Sequence, residues 1–294
     1  MQKRLTLAFF HLCALLPLPA LHSLARLLAG LAWHGRTALR RITETNLALC
    51  YPDMPVHQRR QLARAAVTHT LLTALEIPRI WLQPVEKTLA RIETVQGQAL
   101  IDEARAAGKG VIVIAPHLGN WEALGYFLAS HYPLTCLFKP QAEAWRNEII
   151  FQGRSRCGTQ LQPTSKKGVL GIVKALRAGG VTGILPDQIP DKGSGVEYVP
   201  FFGHPVATMT LIPSLLQRGN VVAVAGFAKR LANGHFSIVL QSVSQDLYAA
   251  DTAVAATALN QAVEQLVALA PAQYQWEYKR FRRGPGGIKT GVYR

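Results

Sequence analysis

The sequence predicts an α/β fold: a mostly parallel central sheet flanked by helices, preceded by an N-terminal hydrophobic membrane-anchoring helix. Three observations lead there. Between residues 111 and 240, short runs rich in Val, Ile and Ala alternate with helical patterns, and strand, helix, strand in repetition means crossovers and parallel pairing. The 294 residues are enough to bury a substantial core. Residues 5–33 form one long Leu/Ala-rich stretch, and a bilayer span needs about 20 apolar residues.

That first stretch has Lys3 and Arg4 before it and Arg36, Arg40 and Arg41 after it, with His11, His22, Arg26, Pro17 and Pro19 inside. It reads as a cleaved leader, a true span, or a helix bent at Pro17–Pro19 that dips into one leaflet with its basic flanks on headgroups. No small-residue cleavage site follows Leu16 and the apolar pattern resumes after Pro19. An uncleaved anchor over residues 1–36 is therefore expected, with residues 37–294 as a single α/β domain. Basic charge on both flanks blurs the orientation rule.

Arg59 to Trp81 reads as a helix with Leu62, Ala66, Leu72 and Leu75 on one face, ending near Pro78 and Pro84. A second helix is expected over Gln98–Ala107, closed by Gly108 and Gly110. The alternation follows: strand 111–115, helix 121–130, strand 134–138, helix 143–153, helix 168–178, strand 181–185, helix 208–218, strand 221–227 and strand 236–240. Val199–Pro205 reads as an apolar, proline-fixed loop whose Phe pair lines an acyl pocket or, by default, packs on the sheet. Ala253–Leu269 is an amphipathic helix stopped by Pro271. The tail Trp276–Arg283 interleaves aromatics with bases, as a solvated end or an interfacial or carrier-protein contact.

Composition narrows the partners. Net charge is +15 with only 17% charged residues, against roughly 25% in ordinary soluble domains; mean hydropathy is +0.12. The excess of base asks for an acidic partner. With no zinc-finger, RNP or repeat signature, nucleic acid is not expected, and an anionic membrane surface or phosphorylated lipid is favoured. Cys13, Cys50, Cys136 and Cys157 are scattered without a Cys-x-x-Cys, as reduced thiols in a cytoplasmic setting rather than a disulfide framework or metal site.

The chemistry concentrates in Val111-Ile-Val-Ile-Ala-Pro-His117-Leu-Gly-Asn120-Trp-Glu122. An apolar strand delivers His117 into a polar turn at its carboxyl end, where α/β sheets place their ligands. Glu122 follows five positions on, at a helix start. A carboxylate that fixes the imidazole tautomer turns a histidine into a general base, so the turn suggests acyl transfer to a hydroxyl. Backbone N–H groups near Gly119–Asn120, or a cation, would stabilise the oxyanion. Three further clusters follow strand or helix ends: Phe138-Lys139-Pro140, Arg154-Ser-Arg156, and Leu185-Pro-Asp187-Gln188. The arginines read either as a phosphate clamp or as C-terminal partners of a helix dipole, and Asp187 as a turn acid. His204 is not assigned a catalytic part.

These blocks together resemble the bacterial lipid A late acyltransferases, the lauroyl and myristoyl transferases within the lysophospholipid acyltransferase superfamily. The resemblance rests on His117-Leu-Gly-Asn-Trp-Glu122, Leu185-Pro-Asp-Gln188 and Val199-Pro-Phe-Phe-Gly203. It extends to Arg41-Ile-Thr-x-x-Asn46-Leu-x-Leu-Cys50-Tyr-Pro52 and the Tyr-x-Trp…Arg-Phe tail, covering nearly the whole chain. It implies an enzyme on the cytoplasmic face of the bacterial inner membrane that moves a fatty acyl chain from acyl carrier protein to a hydroxyl of an anionic phosphorylated glycolipid, with no metal and no cofactor. It implies His117 as base oriented by Glu122, and substrate contacts from Asn120, Lys139, Arg154, Arg156, Asp187 and Gln188. Two departures stand out. Ile189 occupies the place of a second acid, with Asp191 two residues on, and Arg154 and Arg156 compete for one matched position.

Other readings share these residues. The same pair would serve a lysophospholipid or ornithine lipid acceptor. A hydrolase would use water, although no Gly-x-Ser-x-Gly or His-Glu-x-x-His is present. A basic membrane-surface protein that only binds lipid would need neither His117 nor Glu122.

Overall fold

The computed structural model describes residues 2–190 and 195–293; Asp191 lies outside them. The chain opens with helices α1 (Gln2–Leu15), α2 (Leu18–His34), α3 (Ala38–Cys50), α4 (Val56–Leu82) and α5 (Val85–Leu89). Then come β1 (Ile92–Gln96), α6 (Ala99–Ala106), β2 (Gly110–Ile114), α7 (Trp121–His131), β3 (Thr135–Phe138), α8 (Ala144–Ser155), β4 (Gln160–Pro163), α9 (Lys166–Arg177) and β5 (Val181–Ile184). The hairpin β6 (Val196–Phe201) and β7 (His204–Met209) leads to α10 (Leu211–Leu216), β8 (Val221–Arg230), β9 (Phe236–Gln241) and α11 (Thr252–Leu269).

The main sheet runs β1-β9-β8-β2-β5. β2 pairs parallel with both β8 and β5, and β1 with β9. The mostly parallel expectation holds, with one antiparallel pair, β8–β9. Residues 231–235 are too few for a crossover, which takes a dozen or more, so these strands return as a hairpin. β3 and β4 form a separate parallel pair beyond β5, tied to it through the Leu134–Val181 bridge.

β2 is buried along its whole length, and its alternation divides the interior. Ile112 and Ile114 face a core built with Leu47, Ile172, Leu259 and Leu266. Val111 and Val113 face the opposite core, with Phe127, Leu128, Ile238 and Trp81. A strand covered on both faces reads as a continuous apolar run, which is why it stands out in the sequence.

The expected anchoring helix is not supported as a membrane span. No described helix is long and apolar enough to cross a membrane. The stretch 5–33 breaks between Leu15 and Leu18, and both pieces lie on α4. α2 buries Leu21, His22, Ala25, Ala29 and Trp33, a stripe of helical period. His22 Nε2 sits 2.8 Å from the buried carboxylate of Glu76 on α4. Arg79 of α4 and Gln83 just after it donate to carbonyls of Ala14, in the last turn of α1, and Leu16, just past its end, supplying groups that a helix C-terminus leaves unsatisfied. The apolar residues that suggest lipid thus partly serve an internal helix interface.

α4 runs through Pro78 to Leu82, within a residue of the expected end at Trp81; burial of Pro78, Ile80 and Trp81 offsets the roughly 3 kcal/mol that an interior proline costs. Two departures have local causes. The expected loop 199–205 is a hairpin whose turn residues Phe202 and Gly203 have φ of 47° and 78°, the doubly left-handed geometry of a two-residue turn. Phe201 is buried there, as the packing reading requires. The helix expected from 208 begins at Leu211, because Thr208 and Met209 pair within the hairpin. β1 and β4 are additional to the expected strands; both are short and largely outside the core.

Candidate active site

β2 ends at Ile114, and Ala115 extends its pairing by donating to Ile184 O of β5. The next residues form a clamped turn. Gly119 N donates to Gln273 O, Asn120 N to Ala228 O, and His117 O accepts from Gln275 N. Gly119 has φ +63°, and a Cβ there would lie 2.0 Å from Ala228 O, so only glycine fits. Asn120 is fully buried; its Oδ1 caps α7 through Ala123 N and its Nδ2 donates to Glu76. Asn120 therefore builds the turn rather than facing substrate. The Gly119 and Asn120 N–H groups, expected to hold an oxyanion, are already committed to carbonyls.

His117 takes its carboxylate from elsewhere. Its Nδ1 lies 2.8 Å from Asp187 Oδ1, and its backbone N donates to Asp187 Oδ2 at 2.8 Å. Asp187 follows β5, the parallel neighbour of β2, so adjacent strand ends bring the two together. Burial raises the Asp187 carboxyl, but the charge and hydrogen bonds of His117 outweigh it and hold the group below its ordinary value. Burial, with the nearby Asp187 carboxylate adding to it, pushes the Tyr274 phenol far up, so it stays protonated. On the other side, Gln188 Nε2 lies 3.2 Å from His117 Nε2. A carboxamide nitrogen only donates, so Nε2 accepts and Nδ1 carries the proton given to Asp187.

Glu122 has different partners. Its carboxylate accepts from Arg154 Nε at 3.1 Å, from Arg154 Nη2 at 2.5 Å and from Trp81 Nε1 at 2.9 Å. The attraction of Glu122, set against burial, raises the Arg154 guanidinium further. The expected His117–Glu122 dyad is thus redrawn: Asp187 holds the imidazole, and Arg154 neutralises Glu122. Helix geometry explains this, since Glu122 sits in the first turn of α7 and α8 packs alongside with Arg154 in its last turn. Arg156 is exposed, with Nη1 3.4 Å from Leu82 O. Lys139 is exposed just beyond β3.

Two cavities flank this turn. One, about 570 Å³, is lined by Leu124, Tyr126, Leu128, Leu134, Cys136 and Gly183, with Glu122 and Arg154 in its wall. The other, about 520 Å³, is lined by His117, His69, Thr70, Gln273, Gln275 and Glu277. Trp121 borders both, its ring edge-on to His117 with centroids 5.0 Å apart. In the second cavity burial pushes Glu277 up, more than its hydrogen bonds pull it down. Burial, with Arg230 adding to it, lowers His69 to about 4, leaving it neutral.

Sequence reading missed the tail as part of the site. Tyr274 and Trp276 are buried while Gln273, Gln275 and Glu277 line the cavity. That alternation of period two was the available signal. It also missed Glu76, the only acid in α4. Glu76 is completely buried and accepts from His22, Arg91, Asn120 and Arg230. A lone acid among apolar residues was the hint.

The family model for bacterial lipid A biosynthesis acyltransferases matches residues 2–283. The chain is 26% identical to a lipid A biosynthesis lauroyltransferase of Escherichia coli, over 94% of this chain and 89% of the relative. It is also 26% identical to a palmitoleoyltransferase of the same organism, over 92% and 88%. A lipid A biosynthesis acyltransferase of Haemophilus influenzae is 25% identical over 95% and 89%.

Proposed function

The chain belongs to the bacterial lipid A biosynthesis acyltransferases, and from that premise we propose that it moves a fatty acyl chain from acyl carrier protein to a hydroxyl of a lipid A precursor, with His117 as general base. The acyl chain enters the cavity lined by Leu124, Leu128 and Leu134, and the acceptor hydroxyl the one lined by His117, Gln273 and Gln275. The thioester carbonyl meets the hydroxyl beside Trp121, where the two cavities adjoin. His117 Nε2 takes the hydroxyl proton as the oxygen attacks the carbonyl carbon. Asp187 stabilises the imidazolium, and the N-terminal end of α7 faces the growing negative charge. The C–S bond then breaks, and the departing sulfur takes the proton from His117. Acid–base help of this kind is worth about 10²–10⁴-fold.

The observation that carries the reading is a tautomer-fixed histidine in the wall of one of two cavities that share Trp121. It also agrees with the net charge of +15, which suits an acidic carrier protein and a phosphorylated acceptor. For position, the outward face of α1 exposes Leu5, Phe9, Leu12 and Leu15, the last at 81%. With Lys3 and Arg4 beside it, this face would rest in the headgroup layer of the inner membrane, on the cytoplasmic side.

The test supplies purified protein with acyl carrier protein loaded with chains of graded length. It offers a lipid A precursor with a free hydroxyl, a lysophospholipid, or no acceptor. Acylation of the precursor that is lost in His117→Ala is expected. Acylation of the lysophospholipid alone would replace the acceptor, and undiminished turnover in His117→Ala would refute the base.

A further inference from the structure

The base in this structure is covered. Gln188 Nε2 donates to the His117 Nε2 lone pair at 3.2 Å and also to Gln275 Oε1 at 3.3 Å. Gln275 is tied in turn to the same turn, its backbone N donating to His117 O at 3.0 Å. One carboxamide, that of Gln188, thus covers the atom that must accept a proton, and a second, that of Gln275, holds it there. A nucleophile reaches that lone pair only by displacing an amide N–H.

We propose that Gln188 and Gln275 act as a shutter on His117 that yields to the lipid acceptor and not to water, making them the residues that set the ratio of acyl transfer to acyl hydrolysis. The inference rests on His117 being the base. Water brings nothing but its own hydrogen bonds to the exchange. A large acceptor brings binding energy from its remote groups, and such energy can be spent on rearranging the site. Gln275 lines the same cavity as His117, so an acceptor entering there meets the side chain that anchors Gln188. Exposure of the lone pair is thereby coupled to acceptor occupancy. In the side reaction that the shutter suppresses, a water oxygen bonds to the thioester carbonyl carbon and its proton passes to His117. The C–S bond breaks, and the sulfur leaves as a thiol with that proton.

The experiment measures thiol release from a dodecanoyl thioester of acyl carrier protein without acceptor, and acyl transfer with a lipid A precursor. Wild type is compared with Gln188→Ala, Gln275→Leu and His117→Ala. Gln188→Ala is expected to raise acceptor-free hydrolysis about five-fold, the weight of one net hydrogen bond, with transfer changed less. Gln275→Leu keeps Gln188 but removes its anchor, and should move the ratio the same way. A ratio unchanged in both variants, or hydrolysis falling in step with transfer, overturns the shutter while His117→Ala still abolishes both reactions. Retained turnover in His117→Ala instead removes the base, and the shutter with it.

Discussion

Glu76→Gln should unfold this protein at a clearly lower temperature while leaving its shape almost unchanged. The carboxylate is fully buried in α4 and receives Arg230 through Nε at 3.0 Å and Nη2 at 2.6 Å. It also meets Arg91 Nη2 at 3.3 Å, Asn120 Nδ2 at 2.8 Å and His22 Nε2 at 2.8 Å. Glutamine keeps the volume and one acceptor but removes the charge, so the buried Arg230 loses its counter-ion. Removing one member of a buried ion pair costs about 3–5 kcal/mol. At roughly 2–4 °C per kcal/mol for a large domain, Tm should fall by about 6–20 °C. Glu76 is pulled well below its ordinary value of 4.5, the arginines and hydrogen bonds outweighing burial. A depressed folded pKa gives stability that is complete above the unfolded value and is lost as pH falls toward the folded one. The gap between wild type and variant should therefore be constant through neutral pH and narrow below about pH 4.5. Thermal denaturation followed by circular dichroism across that range is the assay. A Tm within about 2 °C of wild type at neutral pH, less than 1 kcal/mol, would refute the argument that Arg230 depends on this carboxylate.

Asp187→Asn should lower kcat by about 10²–10⁴-fold with little change in donor KM. Glu122→Gln should mainly weaken the Arg154 contact and stability, and kinetics on both variants would show which acid serves His117. Gly183→Val grows into the acyl-chain cavity, where a Cβ meets only Cys136 Sγ at 3.7 Å. Donor preference should shift to shorter chains, and an unchanged preference would move the acyl chain elsewhere. Leu12→Glu with Leu15→Glu adds charge to the exposed face of α1, so sedimentation with anionic vesicles should drop sharply while Tm holds. Undiminished sedimentation would locate lipid contact on another surface.

Short-range features are legible in the chain itself. β2 and the turn after it are expected over 111–117, and α7 close to its observed start, because an apolar run, a glycine and an Asn cap act within a few residues of each other. α9 likewise begins at a side-chain cap, Ser165 accepting from Gly168 N. The hairpin 196–209 is hidden because proline and adjacent phenylalanines mask the strand alternation.

Long-range pairing is not legible in the same way. Glu122 is near His117 in sequence, yet the carboxylate on the imidazole comes from 70 residues away and the arginine on Glu122 from 32 residues away. The same holds for Glu76 and Arg230, separated by 154 residues. The sequence by itself determined that a histidine would stand at the carboxyl end of a buried strand, since that depends on hydrophobic period and turn chemistry alone. Which acid would hold it, which cavity it would open on, and whether residues 5–33 would meet lipid or protein were decided by the tertiary structure. Strand order and helix packing set those distances, and a buried charge takes whichever opposite charge the packing delivers to it.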